Sequence, residues 1–165
     1  MASKEEIIAT IQQGTAEVEQ TFASLSDEQL RTRVHEGDGG WTAKQVLAHL
    51  AARQPVNDRL FSLAAGEGTP LTGDFDPNHW NQIVVDQHMN QSRDALLAEF
   101  AAVQEGLITQ VQTMSDDTLA RPIPLPQGEA TLGDVLAMAG GMHAGHHAQE
   151  VQQALAQSPI QPERA

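Results

Sequence analysis

Cysteine is absent from the 165 residues of this chain. Its absence excludes disulfide bonds, thiolate metal ligands and a cysteine nucleophile within the chain. Aromatic residues make up only 4% of the sequence, and alanine, leucine, glutamine and glutamate dominate it, which favours helix over sheet. We therefore expect an all-α protein without thiol chemistry of its own.

Basic residues are also scarce, because nine Lys and Arg stand against 22 Asp and Glu, for a net charge of -13. Nucleic acids and anionic membranes attract basic surfaces, so this charge predicts that neither is a partner. No apolar run approaches the length of a membrane span, and the start, MASKEEIIATIQQ, lacks the apolar core of a signal peptide. We expect a cytoplasmic protein that acts on a small molecule, and a bundle of this size is compatible with a homodimer.

Two of four predicted long helices begin with a capping box, in which a cap side chain and the third helical residue bond each other's backbone. The first helix begins after Ser3, with Glu6 as the partner, and the second begins after Thr42, with Gln45 as the partner. Pro55 lies inside the apolar pattern of the second helix. It is therefore expected to kink this helix or to end it early.

The third predicted helix begins with Asp76 as its cap and Pro77 at its first position, and it runs to Met114. Its second half carries a regular apolar stripe. On its first half the same face is polar, so that half either overhangs the core or lines a wet pocket. A proline-rich loop at residues 121–126 leads to the fourth predicted helix, residues 131–157.

A weak internal repeat relates the two halves of the chain. The shift of 89 residues that separates Thr42 from Thr131 also places residues 26–30 on residues 115–119. Each half then consists of a long helix, a short capped turn, a loop and a second capped helix. The repeat predicts a four-helix bundle of two similar helical pairs, in one domain over residues 1–157 with a flexible tail at 158–165.

The fourth helix carries two histidines on one face. His143 and His147 are four residues apart, and at about 100° per residue they share a face with Leu132 and Leu136, so we expect them to point inward. Two imidazoles at this spacing can bind a metal ion, which needs at least a third ligand. The candidate is His49, on the apolar face of the second helix. Taken alone, His49 is better explained as a core histidine with one hydrogen bond, whereas the inward pair favours a three-histidine site.

One geometric difficulty concerns the height of these residues in the bundle. His49 lies seven residues past Thr42, whereas His143 lies twelve residues past Thr131. At about 1.5 Å per residue, the levels of His49 and of the histidine pair differ by roughly 10 Å. A steep helix crossing, or a fourth helix that starts higher, is needed to bring them together.

Three further residues are candidates for a role beside the metal. Glu150 lies on the face of the histidine pair, where it is a fourth ligand, a carboxylate that fixes an imidazole tautomer, or a solvated side chain near a helix end. Asp86 and Arg93 are placed to position a substrate or to move a proton. The other histidines are expected at the surface or at the border of the site: His35, His79, His88 and His146.

Three imidazoles with an open fourth position are typical of a catalytic divalent metal rather than a structural one. Neutral nitrogen donors suit zinc or nickel best among the common metals.

Residues 41–50, WTAKQVLAHL, the spacing His143-x-x-x-His147 before Glu150, and the order of the helices resemble the DinB-like superfamily of four-helix proteins. Residues 76–81, DPNHWN, are similar to the start of the third helix in the thiol-transferase branch of that family. The resemblance extends over nearly the whole chain. It implies that one histidine of the second helix and two of the fourth, here His49, His143 and His147, hold a divalent metal, often zinc or nickel.

The same resemblance implies a function. Members of this family include mycothiol- and bacillithiol-dependent enzymes, so we expect a metal-dependent transfer of a low-molecular-weight thiol to a small electrophile. In that chemistry the sulfur comes from the cofactor, which agrees with a chain that has no cysteine. Two alternatives stay open: a metal-dependent hydrolase, and a non-catalytic stress-response binding module.

Overall fold

The computed structural model describes residues 2–35, 40–67, 76–125 and 128–158. The predicted tail after residue 158 and most of the loop before Asp76 lie outside these residues. In chain order the elements are α1 (Lys4–Phe22), α2 (Asp27–Leu30), α3 (Ala43–Ala51), α4 (Gln54–Ala64), α5 (Pro77–His88), α6 (Arg93–Thr113), α7 (Asp116–Leu119), β1 (Pro122–Leu125), β2 (Gly128–Thr131), α8 (Leu132–Ala137), a π-turn (Met138–Met142) and α9 (His143–Gln157).

The predicted helix starts are confirmed. Ser3 and Thr42 each accept a hydrogen bond from the backbone of the third helical residue, and that residue's side chain bonds back to the cap. Asp76 caps α5, with Pro77 at its first position. Pro55 also acts as expected, because α3 ends at Ala51 and the chain restarts as α4 at Gln54.

The third helix is not continuous, so its predicted course to Met114 is wrong. It divides into α5 and α6 around Ser92, whose hydroxyl accepts a hydrogen bond of 3.1 Å from the Ala95 N–H and caps a new helix. Just before it, the Gln91 N–H donates to the carbonyl of His88. Serine favours such caps over helix interiors because its hydroxyl competes for backbone hydrogen bonds.

A β-ribbon stands where a proline-rich loop was expected. β1 pairs antiparallel with β2, with Pro122 opposite Thr131 and Leu125 opposite Gly128. Ile123 is fully buried, while Pro122 and Pro124 on either side of it are exposed. Prolines are tolerated here because a strand in a two-stranded ribbon has one edge without a partner strand.

The internal repeat is confirmed by matching backbone hydrogen bonds. In the first half, the Ala43 N–H donates to the Thr32 carbonyl at 2.9 Å, and in the second half the Leu132 N–H donates to the Arg121 carbonyl at 2.8 Å. Each residue of the second pair lies 89 positions after its counterpart. The bundle therefore consists of two similar helical pairs, as the sequence predicts.

The core forms two clusters of buried side chains, with α1 packed against α6 and α9. One cluster surrounds α3 and α9 and includes Phe22, Leu50 and Phe100. The other fills the opposite end, around Ile11 and Leu136. Among the described residues, every helix is too short or too polar to cross a bilayer.

The fourth predicted helix consists of α8, the π-turn and α9. At the π-turn the His143 N–H donates to the carbonyl of Met138, five residues earlier. Such a turn acts as a one-residue insertion into an α-helix. It shifts the buried stripe, which runs through Leu132 and Leu136 before the turn, to different positions after it: Ala144, Ala148 and Val151. His143 and His147 therefore lie half-buried beside the stripe and not on the face of Leu132 and Leu136, which corrects that expectation.

The π-turn is fixed by residues from other helices. Gln104 of α6, whose side chain is 3% exposed, donates from Nε2 to the carbonyl of Gly140 at 2.6 Å and to the Thr15 hydroxyl at 3.1 Å. A Cβ on Gly141 would collide with the backbone of Thr10 in α1. Gly141 therefore allows the backbone of α1 to touch the backbone of the π-turn.

Candidate metal centre

Three imidazoles converge between the second and fourth helices. Nε2 of His49 lies 3.0 Å from Nε2 of His143, and the ring centroid of His147 lies 5.3 Å and 4.5 Å from those of His49 and His143. One nitrogen of each ring lies within 4.8 Å of the other two. Tetrahedral zinc places its nitrogen ligands roughly 3.3 Å apart, so small ring rotations suffice for this cluster to hold a divalent ion.

The predicted height difference is thus overcome in the structure. His49 lies near the end of α3, and His143 is the first residue of α9, directly after the π-turn. The indole of Trp41 packs on the other side of His49 at 5.0 Å between centroids, and its Nε1 donates to Gln82 of α5 at 3.1 Å. His49 is therefore held between the first residue of α9 and an indole that is itself hydrogen-bonded.

Glu150 fixes the orientation of His147. Nδ1 of His147 donates to Glu150 Oε2 at 2.6 Å, which leaves Nε2 as the nitrogen able to bind a metal. The same carboxylate contacts His35 and His146, each at 3.3 Å. Burial raises the pKa of Glu150, but the hydrogen bonds from His147 and His35 outweigh it and hold this pKa below its usual value. Of the three roles considered for Glu150, this geometry fits the carboxylate behind a ligand.

The three imidazoles stay neutral at pH 7. Burial is the main cause that lowers the pKa of His49 from 6.5 to about 3 and the pKa of His143 to about 2, with further contributions from His147 and Arg53. Burial also lowers the pKa of His147, although Glu150 opposes the shift. Neutral imidazoles offer lone pairs, so a metal ion would meet little competition from protons at this site.

These shifts predict that the metal-free protein loses stability as the pH falls from 7 to 5. The unfolded chain protonates these histidines near pH 6.5, whereas the folded chain does not, so their contribution to the free energy of unfolding is complete above pH 6.5 and declines below it. The expected loss is on the order of 2 to 4 kcal/mol. Urea unfolding of chelator-treated protein at pH 7, 6 and 5 measures it.

The His49→Gln, His143→Gln double variant is the matched comparison for the pH series. Without the two imidazoles, its free energy of unfolding should change much less over the same range. An equal pH dependence in the parent and the variant would contradict the assignment of this effect to His49 and His143.

The cluster opens on one side into a cavity of about 560 Å³. Side chains from α3, α5, α9 and the adjoining segments line it: His35, Trp41, His49, Arg53, Asn78, Asn81, Gln82, His143 and His147. Three of these belong to α5, so the start of the third predicted helix lines a pocket, as one of the two alternatives has it. Asp86, further along the same face, is exposed and does not line it.

Several predicted positions differ from the observed ones. His35 is not an isolated surface residue, because it lines the cavity and bonds Glu150. His88 is not in free solvent, since its Nδ1 lies 2.7 Å from the Val84 carbonyl and its Nε2 lies 3.2 Å from Glu99. His79 and His146 are exposed, as expected.

Asp86 and Arg93 do not join the histidines. Asp86 is exposed and accepts a hydrogen bond from Gln82, while Arg93 donates to the carbonyl of Leu25 and pairs with Asp94. Sequence reasoning also missed Arg53, which does line the cavity. Its signal was its spacing, because it lies four residues after His49 and so one helical turn further along the same face.

Comparison with known proteins relates this chain to one family by sequence and by fold. A family model described as the DinB superfamily matches residues 10–151. The curated protein named "Putative metal-dependent hydrolase YfiT", from Bacillus subtilis (strain 168), is 28% identical over 148 residues, which cover 87% of this chain and 79% of that protein. The solved structure of YfiT, which is described as having an unusual four-helix bundle topology, matches with a TM-score of 0.75 at 23% identity, over 95% of this chain and 90% of that one.

Two more distant structures share the fold. The mycothiol-dependent maleylpyruvate isomerase matches with a TM-score of 0.72 at 20% identity, over 91% of this chain and 61% of that one. The colibactin self-resistance protein ClbS, solved in complex with a dsDNA, matches with a TM-score of 0.76 at 15% identity, over 96% of this chain and 98% of that one.

The ClbS complex corrects the expectation that nucleic acid is excluded as a partner. That expectation rested on the net charge of -13 and is wrong as an exclusion, because a protein of this fold is found with dsDNA. Net charge averages over the whole surface, whereas binding depends on the local potential of one groove or cavity.

Proposed function

The chain belongs to the DinB superfamily, and from this membership we propose that it is a metal-dependent enzyme in which His49, His143 and His147 hold a divalent cation. The observation that carries this proposal is the convergence of three neutral imidazoles, with one nitrogen each within 4.8 Å of the others, at the wall of an open cavity. Zinc and nickel suit three nitrogen donors best.

The chain's own residues prepare this centre. Glu150 accepts the Nδ1 proton of His147 and so directs Nε2 toward the other two imidazoles. Trp41 covers one side of His49 and limits the access of water from that direction. When bound, a divalent cation would supply Lewis acidity, which lowers the pKa of a thiol or a water molecule and makes it a nucleophile near pH 7.

We favour the transfer of a low-molecular-weight thiol to a small electrophile. The cavity of about 560 Å³ lies within the range that accommodates a drug-sized ligand, and thus offers room for a thiol cofactor beside its electrophile. The chain has no cysteine, so the sulfur in this reaction comes from the cofactor. A thiol-dependent isomerase also shares this fold.

Cobalt-substituted protein provides the test. Addition of N-acetylcysteine is expected to produce a thiolate-to-cobalt absorption band in the near ultraviolet, because the thiol reaches the open ligand position. N-acetylserine, which replaces the sulfur by oxygen, should produce no such band. Cobalt-loaded protein that responds to neither compound, nor to any other small thiol, would contradict thiol transfer.

A metal-dependent hydrolase is the second candidate. It is favoured by the 28% identity to YfiT, whose name describes that activity. A site that hydrolyses a small ester or amide when loaded with metal, and that shows no thiol band with cobalt, would support this candidate.

A further inference from the structure

Arg53 lines the cavity, but it has no role in the proposed metal centre. It lies in the short break between α3 and α4 that Pro55 imposes, as the cap residue of α4, and its side chain makes no capping bond. Its Nε is buried and has no hydrogen-bond partner in the described part of the chain. A guanidinium nitrogen is left unpaired in a protein interior only rarely, since such a group loses its hydration without compensation.

Arg53 lies close enough to the histidine cluster for its charge to act on it. It lowers the pKa of both His49 and His143, which means that its positive charge is felt at both imidazoles. It also lines two cavities, the one at the histidines and a neighbouring one of about 360 Å³ beside Trp80 and Arg59. Arg53 therefore lies where the two cavities adjoin.

The charged residues at the cavity walls differ from those of the chain as a whole. The chain carries 22 acidic residues against nine Lys and Arg, yet the described residues that line these two cavities include no Asp or Glu. Two of the nine cations, Arg53 and Arg59, are among them. A strongly acidic protein thus places two guanidinium groups and no carboxylate among the described residues that line these cavities, which favours an anion beside them.

We propose that Arg53 forms an anion subsite beside the three histidines and selects a substrate or thiol co-substrate that carries a carboxylate. The guanidinium group of Arg53 lines the cavity, and its fork matches the two oxygens of a carboxylate. This inference rests on the proposed function in one respect, because the anion it binds is a reactant of the same centre. It identifies the chemical class of that reactant.

Quenching of tryptophan fluorescence tests the subsite without metal or turnover. The chain has two tryptophans, Trp41 and Trp80, and they line the first and the second cavity respectively. At constant ionic strength, each Stern–Volmer constant is divided by the constant of free N-acetyltryptophanamide with the same ion. On this normalised scale iodide should quench about threefold more efficiently than caesium, because the charge of Arg53 concentrates the anion. The preference should persist after treatment with a chelator.

Two variants with the same change in net charge separate the local from the global effect. Arg53→Gln should reduce the normalised preference for iodide by at least half, whereas Arg31→Gln, at an exposed position outside both cavities, should leave it unchanged. A preference as large in Arg53→Gln as in the parent, or equal normalised quenching by both ions in the parent, would overturn the proposal.

A competition in the parent protein covers the case in which Arg53→Gln does not fold. Succinate is expected to reduce iodide quenching by about half at saturation, while succinamide, its uncharged isostere, has no effect. Equal effects of the two compounds would overturn the proposal. All quenching and competition measurements use chelator-treated protein. A failure of the parent to bind metal would therefore refute the proposed function without affecting the test of Arg53.

Discussion

The His49→Ala, His143→Ala double variant is expected to lose divalent-metal binding almost completely. The parent protein, purified without a histidine tag, should contain close to one metal ion per chain by elemental analysis. Loss of a carboxylate behind a ligand alone costs about 10- to 100-fold in metal affinity, so removal of two ligands should cost more than about 1,000-fold. Competition with a chromophoric chelator measures the affinities of the parent and the variant.

The control for this experiment is His88→Ala. It also removes a half-buried imidazole, but one that bonds Val84 and Glu99 outside the cluster, so its metal content should match that of the parent. Circular dichroism establishes that each variant retains its helices. A folded double variant that still holds one ion per chain would refute the three-histidine site.

The Gly14→Ala variant is expected to be strongly destabilised. Gly14 is buried in α1, and a Cβ there would collide with the carbonyl oxygen of Gly141 and lie 2.9 Å from its carbonyl carbon. Backbone atoms of a packed helix have no free direction in which to move, so the first and fourth helices must separate. The expected loss is roughly 3 kcal/mol, at the upper end of typical overpacking effects. For a chain of this length the melting temperature falls by roughly 6–12 °C.

The matched control is Gly106→Ala, in the interior of α6. An added Cβ at this position meets no atom within 4 Å. Alanine stabilises a helix relative to glycine by about 0.5–1 kcal/mol, so this variant should melt slightly above the parent. If both substitutions stabilised the protein, the close contact between α1 and the π-turn would be contradicted.

The contact between α1 and the π-turn also affects the position of the histidine pair. The π-turn moves the buried stripe of the fourth helix by one residue and leaves His143 and His147 beside the core, at the cavity wall. Gln104 and Gly14 help hold that turn from two other helices. A defect at Gly14 should therefore also weaken metal binding, although Gly14 is not a predicted ligand.

Local features were predictable from the sequence because they depend on residues within a few positions of one another. The caps at Ser3, Thr42 and Asp76 each involve a side chain and a backbone N–H two or three residues later. The i, i+4 spacing of the histidine pair and the repeat of 89 residues are likewise properties of the linear chain. The break at Ser92 was also readable from its own local signal, but the apolar stripe that follows it obscured that signal.

The position of His35, the unpaired charge of Arg53 and the π-turn were decided only by the tertiary structure. His35 and Glu150 are 115 positions apart, and Gln104 and Gly140 are 36 apart, so no local pattern relates the partners of either contact. An α-helix accepts the extra residue of a π-turn where a distant side chain satisfies a freed carbonyl and a neighbouring helix packs closely. The sequence by itself determined which residues are candidate metal ligands, whereas the packing of distant helices decided that they meet at the wall of an open cavity.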